Sequence, residues 1–147
     1  MIHIFIQCRL RSTRLPNKAL IKFFNETIIE RLIRIAKKKK FKKKIFLLSG
    51  SKQNNLKLIK FAKKFKIKIF FGNELNVLER YYNAIKHFKI DNKDFIMRLT
   101  ADNYLIQPNI LNKLSEYRKN YEYISFDPLS HYSGELFSVE SFTKKIM

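Results

Sequence analysis

At 147 residues, with 31 Lys+Arg against 12 Asp+Glu and a net charge of +19, the chain has room for one domain of about 100–150 residues (1–147) and excludes two. Its 46% hydrophobic and 29% charged content is that of a globular chain, not a disordered one. The one cysteine, Cys8, excludes an intrachain disulfide framework and fits a reducing compartment, and no apolar run approaches the ~20 residues that span a bilayer. The start "MIHIFIQ" has neither the basic n-region nor the cleavage site of a signal peptide, so a cytoplasmic protein is expected.

In chain order, strand-length apolar runs recur as "IHIFI" (2–6), "KIFLLSG" (44–50), "IKIFFG" (67–72), "FIMRLT" (95–100) and "YEYISF" (121–126). They are mostly β-branched or aromatic and too continuous for one-sided sheets, so they read as central parallel strands. Between them lie helical patterns. Thr27 and Glu30 form a capping box ahead of Ile28, Ile29, Leu32, Ile33 and Ala36 at helical spacing. A second helix is expected over 54–65 and a third over 76–88, with Asn76 as its N-cap. A fourth begins near Pro108, whose missing N–H costs nothing in a first turn. Alternating strands and helices predict a three-layer α/β/α fold around a mostly parallel sheet, with ligands at the carboxyl ends of the strands.

The lysine excess comes with abundant isoleucine, asparagine, phenylalanine and tyrosine. These are the residues an AT-rich coding sequence favours, and that composition is the first explanation of the charge. An anionic partner is the second. The run "KKKKFKKK" (37–44) closes the first helix, where cations complement the dipole and enter solvent.

Charge of another kind follows the first strand. "CRLRSTRLPNKAL" (8–20) places Arg9, Arg11, Arg14 and Lys18 on the loop above the sheet, and the planar arginine fork grips phosphate oxygens in pairs. The chain's glycines, Gly50, Gly72 and Gly134, allow neither a P-loop nor G-x-G-x-x-G, so a polyphosphate site here relies on side-chain charge. "RLTADNYLIQP" (98–108) sets Asp102 just past the fourth strand, two residues after Thr100. Mg²⁺ needs only one or two protein carboxylates when phosphates and water complete its octahedron.

Together "IQCRLRSTRLPNKAL", "FFGNELNVLERYYNAI", "RLTADNYLIQP" and "SGELFSVESF" resemble the cytidylyltransferases of cell-surface sugar synthesis. The nearest look is to the spore-coat-polysaccharide type, with CMP-sialic acid and CMP-Kdo synthetases as relatives. The family pattern begins I-x-A-R-x-x-S-x-R-L-P-x-K, which Arg9, Ser12, Arg14, Leu15, Pro16 and Lys18 match. Arg11 and Asn17 stand where glycine is common, Cys8 where alanine is usual and Tyr104 where proline is usual.

The resemblance implies a nucleotide-diphospho-sugar transferase-like α/β/α fold and transfer of CMP from CTP to a sugar acid or related sugar, with Mg²⁺ as cofactor and pyrophosphate released. By matching positions, Arg9 and Lys18 hold the phosphates and act in catalysis with Asp102, which carries the metal. Ser12 and Arg14 shape the same loop, Asn73, Arg80 and Thr100 line the cytidine end, and Glu135 faces the sugar. The implied partners are CTP, a sugar and a second copy of the chain, with no membrane and no specific nucleic acid.

The resemblance covers nearly all of this chain but only the earlier part of the family's length. The later part carries, in relatives, another acidic residue near the metal, further sugar contacts and dimer-forming elements. Two alternatives stand beside the enzyme: a non-catalytic nucleotide-binding remnant of the fold, and a basic nucleic-acid-binding module built on 37–44.

Overall fold

The computed structural model describes residues 1–12, 14–38, 43–101, 103–118 and 120–124, and the backbone of 139–143. Strand β1 (Ile2–Gln7) is flanked by two parallel neighbours, β4 (Lys43–Ser49) and β6 (Phe95–Thr100). β5 (Lys68–Phe71) adds in parallel outside β4, while β8 (Val139–Thr143) pairs antiparallel with β6 and with β7 (Tyr123–Ile124). The order is therefore β5-β4-β1-β6-β8-β7. The chain builds outward from β1 through β4 to β5, then returns to the other side of β1, which makes the β1/β6 boundary the topological switch point. There the register sets Gln7 opposite Thr100.

Period-two alternation divides the core between two faces. Ile2, Ile4, Ile6, Leu47, Met97 and Leu99 pack with helices α1 (Ile28–Lys37), α3 (Leu58–Phe65) and α5 (Pro108–Tyr117). Phe5, Phe46, Leu48 and Ile96 pack with α4 (Val77–His87) on the other side. Every residue of β1 up to Ile6 is buried, as expected for a strand covered by helices on both faces.

The capping box at Thr27 forms in both directions, Asn76 accepts from the Glu79 N–H, and Pro108 opens α5. Three differences from the sequence expectation have local causes. The helix expected over 54–65 is broken into α2 (Lys52–Asn55) and α3, because Asn55 turns inward to bond the Leu10 N–H and the Ser51 carbonyl. Of the run 121–126, the described strand is only Tyr123–Ile124, and it lies at the sheet edge; the central place beside β6 belongs to the antiparallel β8. A small hairpin, β2 (Lys22–Phe23) with β3 (Glu26–Thr27), precedes α1, carrying Phe24 at its tip with φ 53 and 95% exposure.

Candidate active site

The loop leaving β1 is pinned at several points. The Cys8 N–H donates to the Leu48 carbonyl at 2.9 Å, and the Ser49 hydroxyl donates to the Cys8 carbonyl at 2.6 Å. The Leu10 N–H donates to Asn55 Oδ1 at 2.8 Å, and the Asn17 N–H to the Leu10 carbonyl at 2.8 Å, closing the neck of the loop. Asn17 has φ 56, the left-handed conformation that asparagine tolerates better than most residues other than glycine. The loop then enters a 3₁₀ turn, Lys18–Leu20, anchored by the buried Ala19. A loop rich in charge is thus held by backbone bonds and two apolar anchors, Leu10 and Ala19.

The loop forms one wall of a cleft of about 1010 Å³ at the switch point. Arg9, Arg11, Ser12, Arg14 and Lys18 line it from the loop, and Gln7, Arg98, Thr100 and Ala101 from the ends of β1 and β6. Five of the described lining residues are cations and one, Glu74, is a carboxylate. Converging cations against low-dielectric walls focus a positive potential, which draws in polyanionic ligands.

Glu74 organises the opposite wall. Its Oε2 accepts from the Ser51 N–H at 2.8 Å, the Ser51 hydroxyl at 3.2 Å and Asn55 Nδ2 at 3.2 Å. Its carbonyl accepts from Arg9 Nη1 at 2.8 Å and Arg80 Nη2 at 2.9 Å. Arg80 Nε donates to the Asn73 carbonyl at 2.8 Å, and the Arg80 side chain is fully buried. Burial lowers the Arg80 pKa, the neighbouring Arg9 charge adds to this, and Glu74 works against both.

Both described glycines serve this wall. A Cβ on Gly50 would overlap the Glu74 carboxylate, and one on Gly72 would come within 2.9 Å of Arg80 Cγ. Such close approach of backbone and side chain is what glycine permits.

Of the residues singled out from sequence, the cleft brings together Arg9, Ser12, Arg14, Lys18 and Thr100. Asn73 and Arg80 stand behind the wall: the Asn73 Oδ1 accepts from the Leu75 and Asn76 N–H groups, and Arg80 is occupied with loop carbonyls. Asp102 and Glu135 lie outside the described residues. Sequence reasoning passed over Arg98 and Glu74. The signal for Arg98 was a lone charge inside the apolar strand "FIMRLT"; for Glu74 it was a carboxylate two residues after Gly72.

The sequence pattern of the family described as Cytidylyltransferase matches residues 3–145. The chain belongs to the cytidylyltransferase family. It is 32% identical over 142 residues to an uncharacterized protein of Methanocaldococcus jannaschii, covering 95% of this chain and 57% of that protein. It is 28% identical over 136 residues to the spore coat polysaccharide biosynthesis protein SpsF of Bacillus subtilis, covering 87% of this chain and 55% of that one. The solved structure of a cytidylyltransferase from Leptospira borgpetersenii superposes with a TM-score of 0.85 at 29% identity, over 99% of this chain and 61% of that one. This cytidylyltransferase-family chain therefore has the expected nucleotidyltransferase α/β fold, and it spans about half the length of the curated relatives it matches.

Proposed function

We propose that the chain carries the nucleotide-binding half of a CTP-dependent nucleotidyltransferase that moves CMP onto a sugar acid or related sugar in surface polysaccharide synthesis. The observation that carries this reading is the convergence of Arg9, Arg11, Arg14, Lys18 and Arg98 on one cleft at the switch point, within a chain of the cytidylyltransferase family.

In the reaction a sugar hydroxyl oxygen bonds to the α-phosphorus of CTP, the bond to the β-phosphate oxygen breaks, pyrophosphate leaves, and the hydroxyl proton passes to solvent. Arg9 and Lys18 bind the phosphates and offset the negative charge that develops on them, the chief requirement of such a transfer. Arg9 is also fixed by its bond to the Glu74 carbonyl, so it meets the ligand already oriented. Ser12 and Arg14 shape the same wall, while Asn73 and Arg80 hold the loop against which the cytidine end rests, with Thr100 across the cleft.

A divalent metal fits the donor chemistry. Among the described lining residues the one carboxylate, Glu74, is engaged at Oε2 and has no hydrogen-bond partner at its buried Oε1, and a hard ion would be held by Asp102 together with phosphate oxygens and water. Bound Mg²⁺ would supply further charge neutralisation on the phosphates. Glu135 would face the sugar.

The test is pyrophosphate release from CTP, UTP, ATP and GTP with a panel of sugar acids and sugar phosphates, using the full chain. CTP-selective release, lost in Arg9→Ala, supports the proposal, and release with every nucleotide alike or with none refutes it. A second reading, nucleotide binding without transfer, rests on the described lining of the cleft, where five cations face a single carboxylate, Glu74. It predicts CTP-dependent thermal stabilisation without pyrophosphate.

A further inference from the structure

The end of the sheet opposite the cleft carries a second concentration of charge. β4 and β5 begin there, and α1, α3 and α4 end there. Lys37, Lys44, Lys63, Lys66, Lys68 and Lys89 are all exposed at this end. They line two adjoining depressions that share Lys66, Ile67, Lys68 and Phe88. No described lining residue of either depression is a carboxylate, and Lys44, Lys63, Lys66, Lys68 and Lys89 form no ion pair with a described residue.

Two of these lysines occupy costly backbone positions. Lys66, which caps α3, and Lys89, which follows α4, both have φ 52, a conformation where glycine or asparagine is favoured. Helix dipoles account for cations at the three helix ends, and an edge strand is protected by a lysine such as Lys68. Neither accounts for Lys44, nor for six exposed amines gathered with no carboxylate among the described lining residues.

We propose that this face docks peripherally on an anionic lipid bilayer, leaving the cleft directed away from the surface. The six residues are lysines, with no arginine among the described lining residues. Flexible point charges suit a diffuse plane of headgroup charge, whereas gripping phosphodiesters and reading base edges favour the arginine fork. No exposed phenylalanine or tyrosine lies among the described lining residues to stack bases, Phe88 being stacked on Phe46 at 4.2 Å; Phe41 lies outside the described residues. No helix among the described residues is long and apolar enough to cross a membrane, so the contact is electrostatic and superficial. The sequence expectation is of no membrane partner; the lack of a spanning segment bears on insertion and not on surface charge. The inference is independent of nucleotide chemistry.

Co-sedimentation with phosphatidylcholine vesicles, with and without phosphatidylserine, tests it at low and high salt. The test variant is Lys44→Gln/Lys66→Asn/Lys68→Gln/Lys89→Asn, in which asparagine accommodates the left-handed positions and preserves folding. The control is Lys52→Gln/Lys57→Gln/Lys60→Gln/Lys113→Gln, which removes the same charge from exposed positions elsewhere. Binding to the anionic vesicles alone, reversed by salt and weakened about tenfold or more in the test variant but much less in the control, is expected. Equal binding to both vesicle types, no binding, equal losses in the two variants, or binding of duplex DNA in preference to vesicles would overturn it.

Discussion

The Arg9 and Arg80 guanidinium groups donate to one acceptor, the Glu74 carbonyl oxygen, at 2.8 and 2.9 Å. Arg80 is fully buried, whereas Arg9 is half-buried and lines the cleft. Two like charges on one carbonyl give the site a fixed inner cation that holds the loop and an outer one that lines the cleft.

Arg9→Ala should therefore weaken CTP binding with little loss of fold. Removing a charge-assisted bond to phosphate costs about 1.5–3 kcal/mol, or roughly 10- to 150-fold in affinity. Isothermal titration of the variant against the parent measures this, and unchanged affinity would remove Arg9 from the phosphate site.

Arg80→Met should act on stability first. It leaves the Asn73 carbonyl without its guanidinium donor and removes one of two donors from the Glu74 carbonyl, a loss of about 2–4 kcal/mol by urea denaturation. Restored stability with Arg80→Lys would separate a charge requirement from the two-pronged geometry that only arginine supplies.

Gly50→Ala should be more disruptive than Glu74→Gln. A Cβ at position 50 would overlap the Glu74 carboxylate, so the carboxylate must leave its donors Ser51 and Asn55. The isosteric amide keeps the space and loses part of the bonding. Thermal melting should rank parent, Glu74→Gln and Gly50→Ala in falling order, and equal melting of parent and Gly50→Ala would show that the wall yields.

Asp102→Asn should abolish the Mg²⁺ enhancement of CTP-dependent thermal stabilisation while keeping the metal-free shift. Ligands that bind only the native state raise the melting temperature by mass action. A retained Mg²⁺ effect would place the metal on other oxygens.

Acid stability has a defined sign. Burial raises the Glu30 pKa, but bonds from Lys64 and from the Thr27 N–H and hydroxyl outweigh it and hold the group down at about 2, against an ordinary 4.5. A depressed folded pKa contributes stability that is complete above the unfolded value. It is lost as pH falls from about 4.5 toward 2, by no more than ~3 kcal/mol before solvent screening of the exposed Lys64. Glu26, held down chiefly by its bond from Arg34 against burial, adds a contribution of the same sign. So does Asp94, where bonds from His3 and the N-terminal amine prevail over burial. Glu30→Gln should flatten the slope of unfolding free energy against pH in that window, and an unchanged slope would refute the assignment.

The sequence by itself determined the elements whose signals are local. The continuous apolar runs "IHIFI" and "FIMRLT", the Thr27–Glu30 box, the Asn76 cap and Pro108 each depend on neighbours a few residues away, and each stands where expected. The cation-rich loop that lines the cleft was legible for the same reason, because four cations within eleven positions share one strand exit. Only the tertiary structure decided what depends on distant partners. It placed antiparallel β8 beside β6, broke the second helix so that Asn55 could reach Leu10, and brought Arg98 and Glu74 into the cleft. It also buried Arg80 on the Asn73 and Glu74 carbonyls. A buried hydrogen-bonding group must find its partner wherever the fold brings one, and the partners of Asn55, Glu74 and Arg80 include groups on other chain segments that no window of sequence contains.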